Sequence, residues 1–147
     1  MKNDEKIAGA IFPVMIKNLN LLKKKAAPVY VKYIAKVGSK RSTKLQKGHY
    51  LLFYLSKANK SIVAYAKIRS VSFANPSEVK KNIDRIQMDE KEFSNYIKNR
   101  EEKPLMFLEL EKVVPLPEPV LIDYPITMTG RYISTKDIIH LIKISKY

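Results

Sequence analysis

Apolar and polar residues alternate over several short segments of the chain, and a period of two residues predicts β-strands. The alternation is clearest over residues 50–56 and 62–73, which a short polar turn separates, so they predict a β-hairpin. Similar alternation over 29–34 and 103–114 predicts two further strands, and the apolar run over 6–14 predicts a buried first strand. Strands are therefore expected to dominate the fold.

Helix signals interrupt these strands. Residues 15–25 place three apolar side chains at positions i, i+4 and i+7 and end in three lysines, which predicts a short amphipathic helix. Asn75, followed directly by Pro and three positions later by Glu, is typical of a helix start. Asp89 and Ser134 are expected to begin two more helices. The proline-rich segment 115–125 is predicted to be an extended connector.

The length and composition fit one small domain. With 147 residues, 46% of them hydrophobic, the chain can bury a single core. The order of elements predicts one α+β domain over residues 1–147, a β-barrel of about five to six mixed strands with short inserted helices. No apolar run approaches the roughly 20 residues that cross a bilayer. The first residues lack the pattern of a signal peptide, so we expect a cytoplasmic protein without membrane contact.

Two scarce residue types narrow the possible chemistry. The chain has no cysteine, which excludes disulfides, a thiol nucleophile and a cysteine zinc site. Its two histidines, His49 and His140, make a poor metal site, and we expect His140 to pack within an apolar segment. The sequence also lacks a phosphate-binding loop, a dinucleotide fingerprint and a nucleophile elbow. We therefore predict neither a metal nor a cofactor.

The net charge of +14 is confined to one half of the chain. Residues 1–77 contain 16 Lys and Arg against 2 acidic residues, whereas residues 78–147 contain 12 of each sign. No acidic residue occurs between Glu5 and Glu78. Because clustered cations attract polyanions, we interpret this segment as a nucleic-acid-binding surface. Two other interpretations stay open, namely ordinary solvated lysines and a surface that docks on an acidic protein or anionic lipid.

The order of these segments resembles the PUA-like superfamily, which includes the ASCH and EVE domains. Those domains share a strand that begins at a glycine and a hairpin partner rich in small residues. Here these are Gly48–Ser56 and Ile62–Val71. The chain is similar in particular to an uncharacterised archaeal family, through five short motifs in the same order: Phe12–Val14, Val31–Lys32, Phe53–Ser56, Leu108–Leu110 and Thr129–Ser134. The resemblance spans nearly the whole chain.

This resemblance implies RNA binding, or recognition of a modified base in a pocket beside the barrel strands. It also implies an alternative, because some ASCH domains are hydrolases of acylated nucleosides or ribonucleases. The nucleoside hydrolases resemble one another around a Gly-Lys-Lys-Thr element, which here corresponds to Lys23, Lys24, Lys25 and Ala26. The hydroxyl that acts beside the lysine in those enzymes is missing at Ala26. We therefore favour a binding protein over an enzyme.

The candidate RNA-binding residues combine cations with aromatic rings. Cations neutralise phosphates, and rings beside them stack on unpaired bases. Arg131 and Tyr132 follow Gly130, where a glycine turn would let the Arg approach a phosphate or a base edge. The predicted set is Lys24, Lys25, Tyr30, Lys32, Lys40, Arg41, Lys44, Lys47, Tyr54, Ser56, Lys57, Lys60, Arg131 and Tyr132. For each tyrosine, a half-buried position in a strand is the alternative.

Overall fold

The computed structural model describes residues 6–34, 36–37, 40–41, 43–55 and 60–146, with the backbone alone for 36–37, 40–41 and 142–146. These residues form nine strands and four helices. The strands are β1 (Ile7–Pro13), β2 (Val29–Lys32), β3 (Lys36–Val37), β4 (Lys40–Arg41), β5 (Tyr50–Leu55), β6 (Ser61–Ala74), β7 (Leu105–Leu110), β8 (Val114–Leu121) and β9 (Arg131–Ser134). The helices are α1 (Ile16–Lys23), α2 (Pro76–Lys80), α3 (Glu90–Ile97) and α4 (Thr135–Lys146).

Seven of these strands form one mixed sheet. Strands β2, β7, β6, β5, β1 and β9 pair in that order, β8 pairs with β6, and β3 and β4 form a separate pair. The pairing of β1 with β5 is parallel, and the other pairs of the large sheet are antiparallel. Within the described residues β2 and β9, at the two ends of this order, do not pair with each other. The α+β class is as predicted, but the predicted closed barrel is not confirmed.

The longest strand, β6, pairs with three other strands along its length. Its first half pairs with β5 and β8, and its second half pairs with β7. The register shifts between Ile68 and Ser70, where the pairing with β7 begins. Such a shift is typical of a β-bulge, which bends a strand. A single strand therefore changes partners along its length, and its C-terminal half turns towards β7 and β2.

The proline-rich connector predicted over 115–125 is instead mostly strand β8. It pairs with β6, with Ala64 opposite Pro115 and Ile62 opposite Val120. Alternate residues of a strand point their N–H groups to opposite edges, so prolines at every second position remove donors from one edge only. β8 pairs through one edge within the described residues. The prolines are therefore compatible with an edge strand. The prediction of a connector was wrong because it took every proline as a sign of a loop.

The predicted alternation of side chains is confirmed in the hairpin of β5 and β6. Leu51, Phe53 and Leu55 enter one core cluster, together with Leu19 and Leu22 of α1. The opposite face of the same hairpin packs in a second cluster with α4. A third cluster lies under α3, where residues of β2 and β7 surround its one buried aromatic ring. Each long helix therefore covers a different part of the sheet.

The helices begin where the sequence predicts. Glu78 Oε1 accepts a hydrogen bond from the Asn75 N–H at 3.4 Å, and Asp89 Oδ1 accepts one from the Glu92 N–H at 2.8 Å. In α4, Ser134 Oγ accepts a hydrogen bond from the N–H three residues later, at 3.1 Å. The expectation that His140 packs is wrong, because its position on α4 is exposed. None of the described helices combines the length and apolar character needed to cross a membrane.

Candidate functional site

A cavity of about 550 Å³ lies beyond the C-terminal end of β2. Its walls come from β1 and β2, from the turn after α3, and from the segment that leads into β9. The lining residues are Ala10, Phe12, Lys32, Tyr33, Ile34, Thr43, Tyr96, Arg100, Met106, Met128, Thr129, Gly130, Arg131 and Tyr132. Side chains from distant parts of the sequence therefore meet here, and they combine cations, rings and two methionines.

Arg100 is held between two tyrosines in the wall of this cavity. Its Cζ atom lies 4.2 Å from the ring centroid of Tyr33 and 4.8 Å from that of Tyr96. Its Nη2 group donates to the Tyr96 carbonyl, and the Tyr33 hydroxyl donates to the Arg100 carbonyl at 2.8 Å. The Tyr33 N–H donates to the Tyr96 hydroxyl at 2.9 Å. These contacts fix the guanidinium group before any ligand arrives.

Two further cations of the cavity also lie over aromatic rings. The Cζ atom of Arg131 is 4.2 Å from the ring centroid of Tyr124, and Nζ of Lys32 is 5.4 Å from that of Phe12. Lys32 is half-buried, and the loss of water around its ammonium group lowers its pKa. Lys32, Arg100 and Arg131 are called the cavity cations below. A cation over a ring is attracted by the ring's quadrupole but keeps its full charge.

Tyr132 forms one rim of the cavity and is anchored through its hydroxyl. That oxygen lies 3.2 Å from Thr43 Oγ1 and accepts a hydrogen bond from the Lys44 N–H at 3.1 Å. Nζ of Lys44 lies 5.8 Å from the centroid of the same ring. The Tyr132 side chain is nevertheless 42% exposed, so part of its ring is accessible to a ligand. The loop before β5 is thereby tied to the start of β9.

Acidic groups are absent from the described wall of the cavity. The two ion pairs found in the described part of the chain, Lys17 with Glu92 and Arg85 with Glu109, lie elsewhere. Asp123 and Asp137 line a neighbouring pocket together with Tyr124 and do not line this one. The described residues also contain no group of three or more His, Cys, Asp or Glu that could hold a metal ion. The cavity is therefore electropositive.

Gly130 lets the chain pass close to Phe12 at the cavity wall. Its φ angle is +78°, in the left-handed region that favours glycine. A Cβ atom added at this position would lie 2.2 Å from Cδ1 of the Phe12 ring. The predicted role of Gly130, a turn with close backbone approach, is confirmed. The turn also sets the direction in which Arg131 leaves the backbone.

A shallow groove of about 500 Å³ adjoins the cavity at Thr43, which lines both. Its cations are Lys47, in the turn before β5, and Arg69 on β6, and both are exposed. Ser70 and Ser72 also line it and follow Arg69 along the second half of β6. The cavity and the groove therefore meet at Thr43.

The structure brings together part of the predicted set. Lys32, Arg131 and Tyr132 line the cavity, Lys44 lies against the Tyr132 ring, and Lys47 lines the adjoining groove. These five residues come from β2, β9 and the loop between β4 and β5. The acid-free segment thus contributes to one surface, although by fewer residues than the sequence indicates.

Other predicted cations lie away from this surface. Lys24 and Lys25 end α1, before β2, whereas the cavity lies beyond the other end of β2, and Lys25 Nζ donates to the Asp84 carbonyl. Lys60 follows β5 and Lys47 precedes it, and a six-residue strand is about 20 Å long. The pair of lysines on which the hydrolase alternative depends does not line the cavity. No contact of these lysines favours that alternative.

Two of the three tyrosines in the predicted set, Tyr30 and Tyr54, are core residues instead. Tyr30 is 4% exposed and Tyr54 is 5% exposed. Tyr30 packs between Phe12, with ring centroids 5.7 Å apart, and Phe53, at 6.1 Å, and burial raises its pKa. Neither ring offers a face to a ligand in this conformation, so the prediction of stacking is wrong for both. Tyr also fits buried strand positions, and sequence alone does not separate the two roles.

Four members of the predicted set lie outside the described residues or their described side chains. Ser56 and Lys57 are outside the described ranges, and for Lys40 and Arg41 the backbone alone is described, as β4. Their part in RNA binding stays a prediction.

Sequence reasoning missed the residues that build the rest of the cavity, Arg100 and Tyr96 above all. Both lie in the electrically neutral half of the chain, where the charge pattern gives no reason to select them. Thr43 was missed because a threonine in a basic loop has no distinguishing pattern. No local signal was available, because α3 ends at Ile97 and Asn99 has a φ of +66°, so the spacing of Tyr96 and Arg100 is not a helical one.

Comparison with known proteins identifies the fold. A family model described as "Domain of unknown function (DUF365)" matches residues 7–135. Among curated proteins there is no match. The crystal structure of ASCH from Zymomonas mobilis superposes with a TM-score of 0.74 at 9% sequence identity, covering 93% of this chain and 95% of that one. Two mutants of the same protein superpose as well.

The mutants are a Tyr-to-Phe form and a Ser-to-Ala form. The first has a TM-score of 0.74 at 8% identity and covers 93% of this chain and 98% of its own. The second has a TM-score of 0.75 at 9% identity and covers 95% and 98%. At this level of identity the likeness establishes the fold. The predicted resemblance to ASCH domains is confirmed at the level of the fold.

Proposed function

Since this chain belongs to the DUF365 family and has the ASCH fold, we propose that it is an RNA-binding module of the PUA-like type. In this proposal the cavity holds one nucleotide of a single strand, and the groove beyond Thr43 follows the phosphate backbone of its neighbours. Binding, and not catalysis, is the proposed activity. The cavity with its three cations and no described acid is the observation that carries the proposal.

The size and charge of the cavity fit a nucleotide. Ligand sites commonly enclose about 300–1,000 Å³, and this cavity, at about 550 Å³, falls within that range. The cavity cations supply positive charge, while Phe12, Met106 and Met128 supply apolar surface for a base or sugar. Because RNA-binding proteins recognise mainly unpaired bases, a single strand fits this combination better than a duplex.

Two planar groups are available for stacking. The ring of Tyr132 is partly exposed at the rim, and the guanidinium of Arg100 lies against the rings of Tyr33 and Tyr96 in the cavity wall. Bases stack on aromatic rings and on Arg planes in single-strand sites. The sequence predicts that tyrosines stack on bases, but in this proposal Tyr33 and Tyr96 have a different role. They orient a cation that contacts the ligand.

The groove extends the site beyond one nucleotide. Lys47 and Arg69 are exposed along it, and Thr43 marks the junction with the cavity. Successive phosphates of an extended single strand are a few ångströms apart, so a strand leaving the cavity would pass these cations. Each phosphate neutralised on a single strand makes log K fall by about 0.7 per unit of log salt concentration.

The test is a titration of an internally labelled single-stranded RNA and of a duplex, by fluorescence anisotropy at two salt concentrations. We expect the single strand to bind more tightly and its affinity to fall as salt rises. The double variant Arg100→Gln/Arg131→Gln should bind about 100-fold more weakly, because two charge-assisted contacts are lost. The matched control is Lys98→Gln/Lys136→Gln, which removes two exposed charges outside the cavity.

The control separates the cavity from net charge. Both double variants lower the net charge by two, so a nonspecific attraction would weaken equally in each. Equal affinities of the two variants would contradict the proposal. So would wild-type affinity that does not respond to salt.

A further inference from the structure

We infer that the cavity receives a terminal phosphate monoester, so that the protein prefers RNA with a phosphorylated end over the same RNA with hydroxyl ends. This inference rests on the proposed function and names the part of the RNA that occupies the cavity. It follows from a comparison of the charge in the cavity with the charge of the possible ligands.

The first step is the charge of the wall. Lys32, Arg100 and Arg131 face one cavity, and none of them is in an ion pair among those of the described residues. Each lies over an aromatic ring, which holds the cation without neutralising it. The described wall of the cavity therefore carries three positive charges and no carboxylate, while Asp123 and Asp137 line the neighbouring pocket with Tyr124.

The second step is the charge of the ligand. A phosphodiester inside a strand carries one negative charge, whereas a phosphate monoester carries about 1.5 to 2 at neutral pH. A monoester also presents three acceptor oxygens, and a diester presents two unsubstituted ones. A terminal phosphate therefore offsets more of the charge of the cavity cations than an internal one does.

The third step is geometry. A guanidinium group binds a phosphate through two parallel N–H bonds when its plane is fixed. Arg100 is positioned by the rings of Tyr33 and Tyr96 and by its bond to the Tyr96 carbonyl, and Arg131 lies over the ring of Tyr124. Arg has five N–H donors, and one Nη2 contact of Arg100, to the Tyr96 carbonyl, is recorded in the described structure. Donors of both arginines thus stay available for phosphate oxygens.

The experiment compares three forms of one internally labelled oligonucleotide, with a 5′-phosphate, with a 3′-phosphate, and with hydroxyl groups at both ends. We expect one phosphorylated form to bind about tenfold more tightly than the hydroxyl form, and the form that does so identifies the end. The Arg100→Gln/Arg131→Gln variant should bind all three forms alike. The Lys98→Gln/Lys136→Gln control should retain the wild-type preference.

The outcomes separate this inference from the proposed function. Equal binding of all three forms by the wild type, with salt dependence intact, would overturn the inference and leave RNA binding standing. Absence of oligonucleotide binding, with a nucleoside monophosphate bound more tightly than its nucleoside, would overturn RNA binding and support the phosphate site. A preference that survives equally in Arg100→Gln/Arg131→Gln would overturn the placement of the phosphate in this cavity.

Discussion

Two groups of basic side chains in this protein have opposite surroundings. The cavity cations lie on aromatic rings and have no carboxylate among the described residues of the wall. A second group, called the framework cations here, consists of Lys17, Lys25 and Arg85, none of which lines the cavity. Lys25 donates to a backbone carbonyl, and the ion pairs found among the described residues belong to this group, Lys17 with Glu92 and Arg85 with Glu109. In Arg85, Nε donates to the Ala27 carbonyl at 2.8 Å and Nη2 lies 3.0 Å from Glu109 Oε2.

The comparison shows that the partner of a cation, more than the number of cations, decides its role. Lys25 belongs to the acid-free segment, yet it donates to the Asp84 carbonyl in the other half of the chain. Arg100 belongs to the neutral half, yet it faces the cavity. Net charge per segment attracts a polyanion at long range. The local contact determines whether a charge is available to bind it.

The largest effect should come from a framework cation and appear in stability. Arg85→Met removes the contacts to Ala27 and Glu109 and leaves both oxygens without this donor, so we expect the free energy of unfolding to fall by about 2 kcal/mol. Thermal unfolding should shift by about 6 °C. RNA affinity of the folded variant should stay within about twofold of wild type.

The control for this variant is Lys81→Met, which removes a nearby exposed cation. Calorimetry or chemical denaturation measures the stability of both, and anisotropy measures binding below the unfolding temperature. Equal stability of the two variants would contradict the role assigned to the framework cations. So would weaker RNA binding by Arg85→Met at a temperature where that variant is fully folded.

The next largest effect is expected at Lys32, where a substitution should weaken RNA binding but change stability little. In Lys32→Met, loss of the ring contact destabilises the fold and removal of a half-buried charge stabilises it, so we expect the melting temperature to change by no more than about 2 °C. RNA affinity should fall about tenfold, as expected for one lost charge-assisted contact. Lys32→Arg keeps the charge and should retain most of the affinity, and anisotropy against the same RNA measures both. A large drop in melting temperature would assign Lys32 to the framework.

A smaller effect should appear in the groove. Lys47→Gln removes one backbone contact, so the slope of log affinity against log salt should fall by about 0.7, and affinity near physiological salt by about threefold. Lys60→Gln is the matched control, because Lys60 lies at the opposite end of β5. A series of titrations at four salt concentrations gives both slopes. Identical slopes in the two variants would restrict the site to the cavity.

Much of the fold could be predicted from the sequence because local patterns determine it. Alternation over 50–73 gives the hairpin of β5 and β6, and the cap at Asn75 gives the start of α2. The order of the strands could not be predicted, because β6 pairs with β5 and β8 over its first half and with β7 over its second half, and no local pattern reports those partners. Strand β8 was missed because a proline-rich segment normally indicates a loop. Its prolines occupy every second position, so the other edge of the strand keeps its N–H donors and can pair.

Less of the site could be predicted, since its residues meet only in three dimensions. Gly130 and Arg131 were found because a glycine turn beside an Arg is a local signal. Tyr30 was misassigned because alternation places it on a face but does not tell whether a helix or another sheet face covers it. Arg100 depends on two tyrosines, one of them 67 residues away, and no local pattern reports such a contact.

The smallest effect concerns pH and tests whether the framework charges act through stability alone. The hydrogen bonds from Arg85 and then Ser70 hold the pKa of Glu109 below its usual value. A carboxylate with a depressed pKa in the folded state stabilises the protein above its unfolded pKa of about 4.3, and this contribution is lost as pH falls through the folded pKa. Differential scanning calorimetry should therefore show that the melting temperature of wild type drops more steeply below about pH 5 than that of Glu109→Gln.

Arg85→Met, which removes the main cause of the depressed pKa, should also flatten the profile of melting temperature against pH. Because the cavity cations do not contact Glu109, Arg100→Gln/Arg131→Gln should keep the wild-type profile, and a flattened profile in that variant would mean that the two groups share one electrostatic network.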